Sequence, residues 1–184
     1  AGLAAALTAA RSGARVILCD EQNELGGSLL HDPHASINGH PVAEALRVTI
    51  DSLRQAPNVT VLTRTTAFGY FPHNLIGLSE RLTDHEAHPV AHRPRERLWQ
   101  VRAREVILAT GSIERPLVFP GNDRPGVMLA EAARGYANRY HTVVGRKAVI
   151  LAGSDAAYQS ALDLKAAGME IVLIADVRDN PVND

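Results

Sequence analysis

A carboxylate at the end of an apolar run is the first feature with chemistry to do. Arg15-Val-Ile-Leu-Cys19 reads as a parallel strand, and Asp20 closes it, followed by Glu21 and Gln22. A carboxylate there can accept hydrogen bonds from the two hydroxyls of a ribose. Gly26, Gly27 and Ser28 follow at short range, where bare backbone can approach a ligand. Upstream, Gly2 opens an Ala-rich helix that runs to Gly13. In the GxGxxG fingerprint the last glycine lets helix and strand pack closely, and an acid about twenty residues on takes the ribose. Gly2 fits that last glycine. The first two glycines and their strand are then expected ahead of residue 1.

Two further stretches belong to the same chemistry. Val106 to Thr110 reads as a buried strand ending in Ala109-Thr110-Gly111, expected to pass under the pyrophosphate end of the ligand. Thr66 and Ala67 follow the strand Val59–Arg64 and are expected at the adenine. Asp20 favours a free 2′-hydroxyl, because a 2′-phosphate would set like charges together. The expected occupant is therefore NAD rather than NADP, with FAD the alternative in the same pocket.

The chain repeats this plan once. Ala6–Asp20 and Ala161–Asp176 share a helix, a short turn, an apolar strand and an acid. Gly153 precedes Asp176 by 23 residues, the spacing that the first glycine of the earlier fingerprint would have to Asp20. The other two glycines are replaced. Asp155 stands where backbone should meet the pyrophosphate and would repel it. Tyr158 stands where helix and strand should touch and is expected to push them apart. The second unit reads as structural, its nucleotide site lost.

Other constellations carry less. His85, His88 and His92 have a spacing that invites a metal, but Pro89 breaks the helix that would align them, so no metal site is assigned. His31 and His34 are read the same way. Cys19 is the single cysteine, which removes any dithiol relay within the chain and fits a reducing, cytoplasmic compartment. No nucleophile elbow or phosphate-binding P-loop occurs. No catalytic residue is assigned.

The elements that must position these groups follow from pattern and composition. The chain has 184 residues, 46% hydrophobic but only 4% aromatic, which suits Ala/Val/Leu packing of helices on a sheet. Its 19 basic and 20 acidic residues give no reason to expect a nucleic-acid or membrane surface, and no apolar run is long enough to span a bilayer. Residues 28–40 are turn-rich. Pro41 is expected to open a helix to Gln55 with Val42, Leu46, Ile50 and Leu53 on one face. Residues 65–104 then alternate as three short strands, with a turn at Pro72-His73-Asn74 and a charged loop before the third. The fold class expected is α/β: a Rossmann-like, FAD/NAD(P)-binding, glutathione-reductase-type parallel sheet with an inserted antiparallel meander. Residues 1–112 form this first domain, truncated at its start. Residues 113–184 form a connector and the start of a second Rossmann unit.

With these parts in view, the chain resembles the α subunit of heterotetrameric sarcosine oxidase. The residues that carry the likeness include Leu25-Gly-Gly27, Tyr70-Phe-Pro-His-Asn74, Arg81-Leu-Thr-Asp84 and Arg97-Leu-Trp-Gln-Val-Arg102. Ile107–Pro116, Gly121–Val127 and Ser154–Tyr158 complete it. Opine oxidase, cyanide synthase and dye-linked proline dehydrogenase subunits share parts of the pattern. The resemblance implies a hetero-oligomer that demethylates sarcosine to glycine, with oxygen reduced to hydrogen peroxide. Tetrahydrofolate, when present, takes the one-carbon unit as methylenetetrahydrofolate. It implies FAD on another subunit and FMN at a subunit interface. This stretch would be a non-catalytic holder of NAD, with the folate part beyond residue 184. The rival readings are a pyridine-nucleotide:disulfide-type reductase, disfavoured by the lone cysteine, and a scaffold that has lost its nucleotide.

Overall fold

The structure is a computed structural model and describes residues 1–179. The chain divides into two compact units: Ala1–Gly27 with Ser36–Gly111, and Ser28–Ala35 with the chain from Ser112 on.

The first unit opens with helix α1, Gly2–Arg11, which leads through a glycine turn to strand β1, Val16–Cys19. A two-residue hairpin, β2 Ser36–Ile37 and β3 His40–Pro41, precedes helix α2, Val42–Gln55. Pro41 caps this helix from outside instead of being its first residue, because its ψ of 138° is extended. Val42, Leu46 and Leu53 form the buried face, with Leu53 fully enclosed. Enclosing one leucine is worth roughly 1.5–3 kcal/mol. Strand β4, Val59–Leu62, returns parallel to β1, pairing Val16 with Val59 and Cys19 with Leu62. This β1–α2–β4 crossover is the βαβ unit expected. Asn58 secures its entrance: the side-chain amide donates to Ala10 O at 2.9 Å and to Ala14 O at 2.7 Å, tying off the end of α1.

The three alternating stretches form the antiparallel meander β5 Thr65–Phe71, β6 Leu75–Arg81 and β7 Glu96–Arg102. His73 and Asn74 turn the first hairpin with φ of 61° and 50°. Aromatic rings cover the strand glycines: a Cβ on Gly77 would lie 2.5 Å from the Phe68 ring. The stretch Val106–Thr110 corrects an expectation. It runs extended but pairs with no strand among the described residues, and Ile107 and Leu108 are 66% and 74% exposed. A strand exists through its ladder, and this stretch has no ladder partner among the described residues. β1 is likewise half-buried, with Ile17 exposed.

The second unit contains helix α3, Ala130–Tyr140, strand β8, Lys147–Ala152, helix α4, Ala156–Ala166, and strand β9, Glu170–Asp176. β8 and β9 are parallel, joined across α4. The core is small-residue packing: Ala152, Ala157 and Ala161 with Ile150, and Ala133 and Ala137 with Leu164 and Met169. The helix α4 thus lies on its sheet through alanines, and Tyr158 does not hold it off. Glu114, from the connector, accepts the amides of Glu131 at 2.9 Å and Ala130 at 3.3 Å, capping α3.

A buried ion pair locks this unit. Arg134 bonds Asp163 through Nε and lies 3.2 Å from Asp32 Oδ1 through Nη2. Asn138 and Gln159 complete the shell of Asp163, each donating at 2.8 Å. Burial alone would raise the Asp163 carboxyl, but these hydrogen bonds outweigh it and hold the group below its ordinary value.

Candidate functional site

In open α/β sheets, ligands bind beyond the carboxyl ends of the parallel strands. β1 and β4 end side by side, and Asp20 is the first residue past β1. Its amide donates to Leu62 O at 2.9 Å, so the ladder fixes its backbone. Its Oδ1 accepts the Gln22 amide at 2.9 Å, an Asx turn that orients the carboxylate. The carboxylate's Oδ2 makes no hydrogen bond among the described residues.

Every carbonyl of the loop 20–22 is held from the strands beside it. Thr65 N donates to Asp20 O at 2.8 Å, and Arg64 N to Gln22 O at 2.8 Å. The Arg81 guanidinium donates to Glu21 O at 3.0 Å through Nη2. Arg64 is itself left-handed, with φ of 53°, a conformation that costs a non-glycine residue roughly 1–2 kcal/mol. Its amide bond to Gln22 and the Arg81 amide on its carbonyl, at 3.0 Å, hold it there. Glu21, Gln22, Asn23, Arg64, Arg81, Asp84 and His85 line an open groove of about 570 Å³ next to this loop, and Asp20 itself is not in its lining.

The glycines fall into place around a second contact. A Cβ on Gly2 would lie 3.3 Å from Ala109 Cβ, so the start of α1 and the 106–110 segment meet in a contact that a side chain would tighten. Thr110 and Gly111 end that segment. Gly26 and Gly27 have φ of 142° and 59°, backbone that a side chain would strain. Gly27 begins a short 3₁₀ turn to His31, and Ser28 belongs to the second unit. Thr66 and Ala67 lie within β5, opposite Ser79 and Leu78. Neighbouring strand residues face opposite ways, so only one of the two can face a given ligand. The structure therefore brings Asp20, Glu21 and Gln22 together with Arg64, Thr65 and Arg81, and Gly2 together with Ala109. The sequence reading missed Arg64 and Arg81. Arg81 stood among the residues of the resemblance, but no local pattern gives it a role.

The equivalent edge of the second unit is filled by the chain itself. Arg178 grips Asp176 with two nitrogens and reaches Asp155 Oδ1 at 2.8 Å through Nη1. Tyr158 Oη donates to Asp176 Oδ2 at 3.0 Å. Asp155 thus meets a cation where a phosphate would sit, and the acid that would take a ribose is engaged. Hydrogen bonds from Arg178 hold the Asp176 carboxyl far below its ordinary range and raise the Arg178 guanidinium in return.

The remaining candidates stay quiet. Burial and then the neighbouring Asp20 charge push the Cys19 thiol up, away from the reactive thiolate. The 84–95 loop is tied by ion pairs, Arg93 with Glu86 and Arg95 with Asp84. Among the described residues no three His, Cys, Asp or Glu side chains are placed to hold a metal, and no helix is long and apolar enough to cross a membrane.

A parallel βαβ sheet with an acid at its carboxyl edge, an antiparallel meander and a second βαβ unit define an α/β protein of the Rossmann-like class. The chain belongs to the pyridine nucleotide-disulphide oxidoreductase family, whose model matches residues 1–184. The resemblance to sarcosine oxidase α subunits holds over nearly the whole chain. It is 54% identical over 177 residues to sarcosine oxidase subunit alpha of Rhizobium meliloti (strain 1021), covering 96% of this chain and 18% of that protein. It is 45% identical over 179 residues to the same subunit of Corynebacterium sp. (strain P-1), covering 97% and 18%. The chain thus spans less than a fifth of the length of these relatives, 18% in each case. L-proline dehydrogenase from P. horikoshii has the same fold, with a TM-score of 0.75 over 99% of this chain and 34% of its own, at 24% identity.

Proposed function

We propose that this chain holds the adenosine half of one dinucleotide, NAD, within the α subunit of an amine-oxidising complex of the sarcosine oxidase type. The observation that carries the proposal is the 54% identity to a sarcosine oxidase α subunit over 96% of the chain. The geometry supports the binding role. Asp20, with Glu21 and Gln22 beside it, accepts from the ribose hydroxyls through the oxygen its own loop leaves free. Gly26, Gly27, Ala109, Thr110 and Gly111 offer backbone along the ligand, Gly2 packs the helix closely, and Thr66 or Ala67 borders the adenine. The adenosine half is common to NAD and FAD, so FAD is the competing occupant. A bound dinucleotide would supply two-electron redox chemistry. The residues here bind and orient it, and none of them is assigned a proton transfer.

In this reading the complex oxidises sarcosine with oxygen to glycine and hydrogen peroxide, and tetrahydrofolate takes up the one-carbon unit. Separate FAD and FMN, the other subunits and the folate site lie outside this chain. The site of action is the cytoplasm, consistent with a single half-buried thiol. The test is an oxidase assay on the full-length protein with and without its partner subunits, plus chromatography of the cofactor released on denaturation. Sarcosine-dependent oxygen uptake only in the complex, with NAD released, supports the proposal. NADH-dependent reductase activity from the lone protein contradicts it. Release of flavin from this subunit assigns the pocket to FAD.

A further inference from the structure

We infer that Arg81 is a positioning residue for the dinucleotide, acting on the Asp20 carboxylate through one peptide plane. This rests on the reading that Asp20 takes the ribose.

The geometry is a relay of three groups. The Arg81 guanidinium donates to the carbonyl of Glu21 at 3.0 Å. That carbonyl and the amide of Gln22 belong to one planar, trans peptide group. The Gln22 amide donates to Asp20 Oδ1 at 2.9 Å. Holding one end of the plane therefore fixes the direction of the other. A donor on the carbonyl also polarises the amide, which strengthens its bond to the carboxylate.

Among the described residues, Arg81 is the one side chain that donates to a carbonyl of the 20–22 loop. The Asp20 and Gln22 carbonyls are held by the amides of Thr65 and Arg64, which any residue would supply. Glu21 O is held from a side chain sixty positions away. The base of that side chain is rigid: Arg81 pairs with Glu96 on β7, and its amide donates to Arg64 O. Without the guanidinium the Glu21–Gln22 plane can rock, and the carboxylate loses its fixed aim. Arg81 also lines the groove, so the rival role is direct attraction of a ligand phosphate.

The experiment is a binding cycle on the full-length protein, by calorimetry with NAD, or with FAD on the apoprotein if flavin is what is recovered. The variants are Asp20→Ala, Arg81→Met, Arg81→Lys and the double variant Asp20→Ala/Arg81→Met. Arg81→Met should weaken binding by roughly five- to thirtyfold, and by no more than Asp20→Ala does, because Arg81 acts only through that carboxylate. Arg81→Lys, which can still donate to Glu21 O, should recover most of it. In the Asp20→Ala background, Arg81→Met should cost nothing further. A full additional loss there means that Arg81 acts on the ligand itself and overturns the inference. So does unchanged binding in Arg81→Met when Asp20→Ala weakens it. If Asp20→Ala has no effect, the ribose reading fails, and the inference with it. Should Arg81→Met not fold, Arg81→Gln takes its place in the same cycle: a loss that disappears in the Asp20→Ala background supports the relay, and unchanged binding or a loss that persists in full there overturns it.

Discussion

The guanidinium of Arg178 closes on the carboxylate of Asp176, with Nη2 2.8 Å from Oδ2 and Nε 3.0 Å from Oδ1. The pair sits at the carboxyl end of β9, at the position where Asp20 follows β1 in the first unit. Both oxygens of Asp176 are engaged by Arg178, whereas among the described residues only Oδ1 of Asp20 accepts a hydrogen bond.

Acid should loosen the second unit. The carboxyls of Asp176 and Asp163 are both held below their ordinary values in the folded protein. A depressed folded pKa gives stability that is present above the unfolded value, about 3.9, and is lost as pH falls toward the folded one. Urea midpoints should therefore begin to fall below about pH 5 and keep falling below pH 3. In Arg178→Ala the fall should begin from a lower plateau and be shallower.

Arg134→Met should be strongly destabilising. It leaves Asp163, whose side chain is 2% exposed, without its cation. Breaking such a pair costs about 3–5 kcal/mol, whereas replacing both partners by apolar residues costs much less. Chemical denaturation of Arg134→Met against Arg134→Met/Asp163→Leu checks this, and the double variant should recover most of the loss.

Asn58→Ala should lower the stability of the first unit by roughly 1–3 kcal/mol. It removes both hydrogen bonds that tie the end of α1 to the entrance of β4. Hydrogen exchange should show α1 opening first. A change confined to α4 would contradict the assignment.

Local pattern carried most of the fold. The alternation of Thr65–Phe71, Leu75–Arg81 and Glu96–Arg102 gave a meander with full-length strands. The repeated helix–strand–acid plan gave β8, α4 and β9. Val106–Thr110 has the composition of a strand, but pairing depends on a neighbour, which composition does not reveal. Tyr158 was expected to wedge α4 off its sheet; its ring reaches Asp176 instead, and the alanines on either side do the packing. The acid Asp20 was legible because spacing defines it. Arg81 and Asn58 were not, since their partners lie 60, 48 and 44 residues away and no periodicity links them.

The central claim is that one dinucleotide binds, at Asp20 and not at Asp176. The most direct measurement is calorimetric titration of the full-length protein and two variants with NAD. One site per chain is expected. Asp20→Ala should weaken it by about 1–3 kcal/mol, as a charged hydrogen bond is lost. Asp176→Ala should leave affinity and stoichiometry unchanged. If Asp176→Ala abolishes binding while Asp20→Ala does not, the nucleotide belongs to the second unit and the account is wrong.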